Sequence, residues 1–327
     1  MYPDIPAALA IALILGGLWV VKTSADVFID GAVAVARIIR LPPFVVGMVI
    51  VGFGTSAPEL CVSVLSGIGG KPDLSLGNAY GSCICNIALI LGVSALVSPL
   101  AVSRKTRMFS VPALFAITLL SWFLAVWGDG FSRADAFISL GVFAVGLPLY
   151  CFLHRTPQTP SADSGGALPR AGRPLLAASL KLLAGLAFLV GASHLLVWGA
   201  VDVARSLGVS ELLIGLTILA VGTSLPELAS SIVASRRREH DIVLGNIIGS
   251  NFFNTLAVVG IAGAITPFSE FSPFISVREM PVLLALTVSI AVIPAVSGGR
   301  VGRVWGAVWV AAYAAYIATM AYQELPA

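Results

Sequence analysis

Charge is scarce in this chain. Only 11% of its 327 residues are charged, whereas a soluble domain carries about a quarter. Hydrophobic residues make up 58%, and mean hydropathy is +0.98. This shortage excludes a soluble globular protein, and with it a disordered or nucleic-acid-binding chain. No charge of one sign accumulates: the net charge is +3 at pH 7, so charge alone indicates no polyanionic partner. Disulfide scaffolding is missing too. The four cysteines (Cys61, Cys83, Cys85, Cys151) all sit in apolar runs, which is no disulfide framework. What the chain has in abundance is long apolar runs. A spanning helix needs about 20 apolar residues, so the chain reads as an all-α polytopic membrane protein.

Apolar runs between charged or Pro/Gly-rich breaks predict ten spans: 6–36, 44–68, 74–98, 109–127, 134–153, 175–204, 212–235, 242–265, 280–297 and 302–322. The first and sixth are long enough to require tilt. The first run begins at Asp4 and continues past Lys22, Asp26 and Asp30, which does not read as a cleavable signal peptide. Loops after odd-numbered spans hold thirteen Lys and Arg residues, including Arg236, Arg237 and Arg238. Loops after even-numbered spans hold four. The positive-inside rule then predicts that both termini lie outside a prokaryotic inner membrane. The segment 154–173, rich in Pro, Gly and Ser, reads as a flexible cytoplasmic linker between residues 1–153 and 174–327.

These two halves are related at a constant offset of 168 residues. Gly54-Thr55-Ser56 matches Gly222-Thr223-Ser224, and Pro58-Glu59-Leu60 matches Pro226-Glu227-Leu228. Further on, Leu76-Gly77-Asn78 matches Leu244-Gly245-Asn246, Gly81-Ser82 matches Gly249-Ser250, and Asn86 matches Asn254. Shared apolar composition does not align Asn, Glu, Ser and Pro at one offset. With five spans in each half, the second copy enters the membrane from the opposite side. That predicts an inverted-topology repeat, with a substrate site near the midplane where the copies meet.

Within the apolar runs, the second span reads VGFGTSAPELCVSV and the seventh AVGTSLPELASSIV. Each places a glutamate, Glu59 or Glu227, midway through the run. A carboxylate there costs several kcal/mol unless it is paired, protonated or bound to a cation. Pro58 and Pro226 break the helix and free the carbonyls of Gly54 and Gly222, one turn from the glutamates. Helical spacing brings Thr55 and Ser56 onto the face of Glu59, and Thr223 and Ser224 onto the face of Glu227. Ser82 with Asn86, and Ser250 with Asn254, add oxygen from the third and eighth spans. The collected ligands are carboxylates, hydroxyls, amide oxygens and main-chain carbonyls, without a histidine or thiolate cluster. Such a set suits a hard cation, calcium better than magnesium. Gly77-Asn78 and Gly245-Asn246 read as capping or packing positions, and Gly16-Gly17, Gly47 and Gly92 as helix contacts. Asp26, Asp30, His194 and Asp202 either line an access path or pair with Lys22 or arginines near the interface.

The motifs GFGTSAPEL with GNAYGSCICNI, and AVGTSLPEL with GNIIGSNFFNT, resemble the two alpha-repeats of the cation/calcium exchanger superfamily, in particular the prokaryotic sodium/calcium exchangers. They fall in 52–92 and 220–260. The resemblance implies four central cation sites formed by spans 2, 3, 7 and 8, with gating by sliding of spans 1 and 6. It implies Glu59 and Glu227 as central calcium and sodium ligands. Thr55, Ser56, Thr223, Ser224, Ser82 and Ser250 would line flanking sodium sites, with the carbonyls of Gly52 and Ala220. Asn86 fits the family's usual residue. Asn254 stands where several members carry Asp, and Cys83 and Cys85 replace the usual Asn and Phe.

The expected activity is a secondary antiporter exporting calcium against sodium entry, with no catalytic residue, no cofactor and no obligate protein partner beyond lipid and inorganic cations. A calcium/proton antiporter of the same architecture is the alternative, because buried glutamates can carry protons. A channel is a further possibility. An intramembrane enzyme is disfavoured, since there is no Asp-rich metal-phosphate motif and no nucleophile–base pair.

Overall fold

The computed structural model describes residues 5–127, 130–153, 172–209, 218, 220–268, 273 and 275–323. Helix α1 (Ala7–Ile39) follows Pro6 and ends at Arg40, which adopts the left-handed conformation at φ 56°. Pro43 then opens α2 (Pro43–Thr55), and α3 (Ala57–Ile68) follows at a 44° bend. The first half continues with α4 (Pro72–Val97), α5 (Thr106–Val126) and α6 (Arg133–Leu153). The second contains α7 (Gly172–Ser206), the short α8 (Ala220–Thr223) and α9 (Leu225–Arg236). It ends with α10 (His240–Ile265), α11 (Ile275–Val296) and α12 (Arg303–Gln323).

Seven of these helices (α1, α4, α5, α6, α7, α10 and α11) are long and apolar enough to cross a membrane, and the bent pair α2–α3 makes an eighth. Of the expected seventh span, residues 212–217 and 219 lie outside the described residues, as does nearly all of the linker. At about 1.5 Å per residue, the 33 residues of α1 exceed the roughly 30 Å hydrocarbon core. A two-residue antiparallel ribbon, β1 (Leu100–Ala101) with β2 (Arg300–Val301), was not expected. It is too short to leave a pattern in the sequence, and it ties the α4–α5 connection to the α11–α12 connection.

Helix α10 is the centre of the bundle. Every residue of its most apolar 18-residue stretch is buried, against 17–28% for α1, α6 and α7, which face outward. Glycines set its approach to α2. A Cβ on Gly249 would stand 2.3 Å from the Met48 carbonyl oxygen, and one on Gly47 2.5 Å from that of Ile242. Helices α1 and α7 pack on each other in the same way. Gly17 and Gly31 press on Leu196 and Leu182, while Gly185 and Gly199 press on Phe28 and Ala10. These four glycines obey the offset of 168, so the relation between the halves extends back to residue 17. Gly92 also meets a neighbour, α12. Gly16 departs from expectation: nothing lies within 4 Å of its would-be Cβ, and it lines an open apolar groove of about 590 Å³ between α1 and α7.

Asp26 and Asp30 form ion pairs with Arg237 at the end of α9, and Asp30 also pairs with Lys181 at 2.8 Å. Pairing with an arginine therefore holds, but the lysine is Lys181 and not Lys22. Asp202 accepts the backbone N–H of Ile5 at 3.1 Å, and His194 is exposed on α7.

Candidate cation site

The site is built at two helix breaks, one between α2 and α3 and the other between α8 and α9. The chain turns out of α-helical geometry at Ser56 (φ −83°, ψ 9°) and at Ser224 (φ −91°, ψ 10°). Pro58 and Pro226 are each the second residue of the helix that follows, where a missing N–H removes no intrahelical bond. Each glutamate thus lies in the first turn of a new helix. Glu59 is fully buried and Glu227 is 1% exposed.

The breaks correct one expectation. Uninterrupted helical spacing placed Ser56 on Glu59 and Ser224 on Glu227. The turn at each serine destroys that register and sends the hydroxyl across to the other half. Ser56 Oγ donates to Glu227 Oε1 at 2.9 Å, and Ser224 Oγ donates to Glu59 Oε1 at 3.0 Å. The two bonds are exchanged by the offset of 168. Ser82 faces Glu59, and Thr55 faces Glu227. Thr55 Oγ1 donates back to the Val51 carbonyl at 2.9 Å, which leaves its lone pairs available to a cation. Thr223 is half-buried beside Ser224.

The remaining oxygen of each carboxylate, Glu59 Oε2 and Glu227 Oε2, is buried without a hydrogen-bond partner. Neither carboxylate forms an ion pair among the described residues. Asn86 Oδ1 and both terminal atoms of Asn254 are likewise buried and unpartnered. Such groups are costly in a dry interior and are rare unless something occupies them. Asn86 and Asn254 both lie in wide π-helical turns, Asn86–Leu91 and Phe253–Val258, a distortion frequent at functional sites. No cluster of three His, Cys, Asp or Glu occurs among the described residues. The donor set therefore remains oxygen, as a hard cation requires.

The carbonyls divide differently. That of Gly52 already accepts Ser56 N–H at 3.2 Å and Ser250 Oγ at 3.2 Å, so in this arrangement it is occupied by protein donors. Gly54 and Gly222 lie just before the breaks. Ala220 opens α8. Asn78 and Asn246 take packing roles. Asn78 Nδ2 donates to the Glu59 carbonyl at 3.0 Å and to Ser63 Oγ at 2.8 Å. Asn246 Nδ2 reaches the Glu227 carbonyl at 3.5 Å and Ser231 Oγ at 2.9 Å. Each amide pins the first turn after a break. Sequence reasoning missed Asn251, which is buried between the halves and hydrogen-bonded to Asn86. Its signal was an Asn standing 168 residues after Cys83, where the two halves differ.

The family described as sodium/calcium exchanger protein matches residues 9–151 and 178–322. A candidate antiporter, CaxA of Alkalimonas amylolytica, is 40% identical over 312 residues, covering 94% of this chain and 97% of that protein. The sodium/calcium exchanger MaX1 of Methanosarcina acetivorans is 29% identical over 347 residues, covering 95% and 97%. The solved structure of the sodium-calcium exchanger NCX_Mj, soaked with Na+ and Sr2+, has a TM-score of 0.82 at 28% identity, covering 96% of this chain and 99% of that one. With the matched residues running through both halves, this chain is a membrane antiporter that belongs to the sodium/calcium exchanger family.

Proposed function

We propose that the protein exchanges calcium for sodium by alternating access, with Glu59 and Glu227 binding the two ions in turn. The observation that carries this is the reciprocal pair of bonds, Ser56 to Glu227 and Ser224 to Glu59, each leaving one buried carboxylate oxygen unpartnered. Two ionised carboxylates are neutralised by one calcium or by two sodium ions, so the ions compete for the same two charges. An empty site left at −2 in the membrane centre is costly. The unloaded carrier therefore resists reorienting, which is the requirement for exchange as opposed to leak. Ser82, Thr55, Thr223, Ser250, Asn86 and Asn254 supply further oxygen, without a cofactor or an obligate protein partner.

The architecture for this cycle is ten spans in two inverted five-helix repeats, 1–153 and 174–327, joined by the cytoplasmic linker 154–173. The constant offset, the paired breaks at Ser56 and Ser224 and the paired π-helical turns support it. So do the turns at Thr106–Ser110 and Ile275–Glu279, which are offset by nearly the same distance. An odd number of spans per repeat and the excess of basic residues in one set of loops support an inner-membrane location with both termini outside.

Radiolabelled calcium uptake into sodium-loaded proteoliposomes, diluted into sodium-free buffer, tests the proposal. Uptake that needs the outward sodium gradient supports it. Uptake driven by a proton gradient alone replaces it with calcium/proton exchange. Open-pore currents in electrical recordings refute carrier exchange altogether.

A further inference from the structure

Asn251 belongs to no ligand set derived above, yet its side chain is almost fully buried at 1% exposure. Its surroundings fix the direction of three groups in sequence. The backbone carbonyl of Cys83 can only accept, so the Asn251 atom 3.2 Å from it is Nδ2. The other terminal atom of that amide is then Oδ1, which also can only accept. The Asn86 atom 3.0 Å away must therefore be Nδ2. Asn86 is left with Oδ1 free, buried and unpartnered. This ordering holds whichever way the amides are first drawn, because a main-chain carbonyl anchors it.

The repeat-related arrangement lacks this device. Asn254 corresponds to Asn86, and Cys83 corresponds to Asn251. The Cys83 thiol faces Asn254, but it is a weak donor and acceptor. Its hydrogen bonds are long, 3.7 Å to Thr255 Oγ1 and 3.9 Å to the Asn251 carbonyl. Both terminal atoms of Asn254 lack a partner. One half thus presents an amide oxygen held by a hydrogen-bond chain, and the other an amide whose terminal atoms no hydrogen bond holds.

We infer that Asn251 is a positioning residue that aims the Asn86 carbonyl oxygen at the cation site, and that Cys83 leaves Asn254 unaimed. This rests on the cation-exchange reading of the site. A site with one fixed and one rotatable amide can turn an oxygen toward a bound cation, or an N–H toward a carboxylate once the cation has left.

The test is calcium and sodium titration of the purified full-length protein, by calorimetry, together with sodium-driven calcium uptake. Losing the fixed oxygen in Asn251→Ala is expected to raise the calcium Kd about tenfold, the scale of one net hydrogen-bond-sized contact. Maximal uptake rate is expected to hold. In an Asn86→Ala background, Asn251→Ala should add nothing, because a positioning residue acts only through the group it positions. Additive effects of the two substitutions, or an unchanged Kd in Asn251→Ala, would overturn the inference. If Asn251→Ala does not fold, Cys83→Asn tests the same geometry. An amide there gives Asn254 a partner and should tighten calcium binding, and an unchanged Kd counts against the inference. Wild-type protein that binds neither ion refutes the exchange reading itself, and the inference falls with it. Binding that persists while only the variants behave as wild type refutes the inference alone.

Discussion

Replacing Glu59 by Gln tests the charge argument with little change of shape. Glu59 is fully buried, and its Oε1 accepts Ser224 Oγ at 3.0 Å. A glutamine carbonyl can keep that bond. The unpartnered Oε2 becomes an amide NH2, which points hydrogens where a cation needs lone pairs. The site then offers one negative charge to a divalent ion. Removing one partner from a buried charged pair costs about 3–5 kcal/mol, and each 1.4 kcal/mol is tenfold in affinity. The calcium Kd should therefore rise by roughly two to three and a half orders of magnitude. Sodium should lose less, because a single carboxylate still neutralises one monovalent ion.

Stability should move the other way. The substitution removes an uncompensated carboxylate from the membrane interior, a group that costs about 2.5–3.5 kcal/mol at a helix centre. The cation-free Tm should thus be unchanged or higher. Glu227→Gln should behave alike, because Ser56 holds Glu227 at 2.9 Å in the repeat-related bond. The assay pairs thermal unfolding with gradient-driven calcium uptake over a range of calcium concentrations. A variant that keeps uptake with a near-wild-type concentration dependence would refute the two-glutamate site. So would one that loses calcium and sodium binding equally.

Other substitutions separate the supports of the site. Ser56→Ala and Ser224→Ala each remove a hydroxyl bonded to a buried carboxylate, so each should lower cation-free stability by about 1.5–3 kcal/mol. The two losses should match in thermal or denaturant unfolding, and unequal losses would argue against reciprocal roles. Asn78→Ala removes two bonds, at 3.0 and 2.8 Å, that tie α4 to the start of α3, at about 1–3 kcal/mol together, read as a fall in Tm. Gly249→Ala should destabilise strongly, since its Cβ meets a carbonyl at 2.3 Å, whereas Gly77→Ala, with nothing within 4 Å, should not; expression and Tm compare them. Arg237→Gln breaks pairs whose groups are 32–44% exposed, each worth under about 1 kcal/mol. It should therefore shift Tm little, and less still at high salt.

Helices were legible in the sequence because a bilayer imposes their length and polarity. The predicted first run, 6–36, became Ala7–Ile39, and 242–265 became His240–Ile265. What the apolar pattern hid was irregularity within runs. The π-helical turns at Asn86–Leu91 and Phe253–Val258 fall in α4 and α10, which are 72% and 100% buried over their most apolar stretches, so no one-sided hydrophobic period announces them. The ribbon between Leu100–Ala101 and Arg300–Val301 joins connections about 200 residues apart, a distance over which local pattern carries no information.

The candidate site stood out for a different reason: repetition. Glu59 and Glu227 stood out because each occurs mid-span beside a proline, twice, at one offset. That same repetition misled on their partners. Spacing within a helix assigns Ser56 to Glu59, but only while the helix is continuous, and Pro58 is the residue that ends it. Once the chain turns at Ser56, symmetry requires that whatever Ser56 does to Glu227, Ser224 does to Glu59. The crossed bonds at 2.9 and 3.0 Å meet that requirement. Symmetry also gives meaning to its own exceptions. Where the offset pairs Cys83 with Asn251, the two halves differ in their capacity to orient an amide. Where it pairs Asp30 with Trp198 and Arg237 with Gly69, the ion pairs on one side of the bundle have no repeat-related counterpart. Two exact copies would make inward- and outward-facing arrangements equal in energy. On the inverted-repeat reading, these departures are therefore where a preference between the two arrangements is encoded.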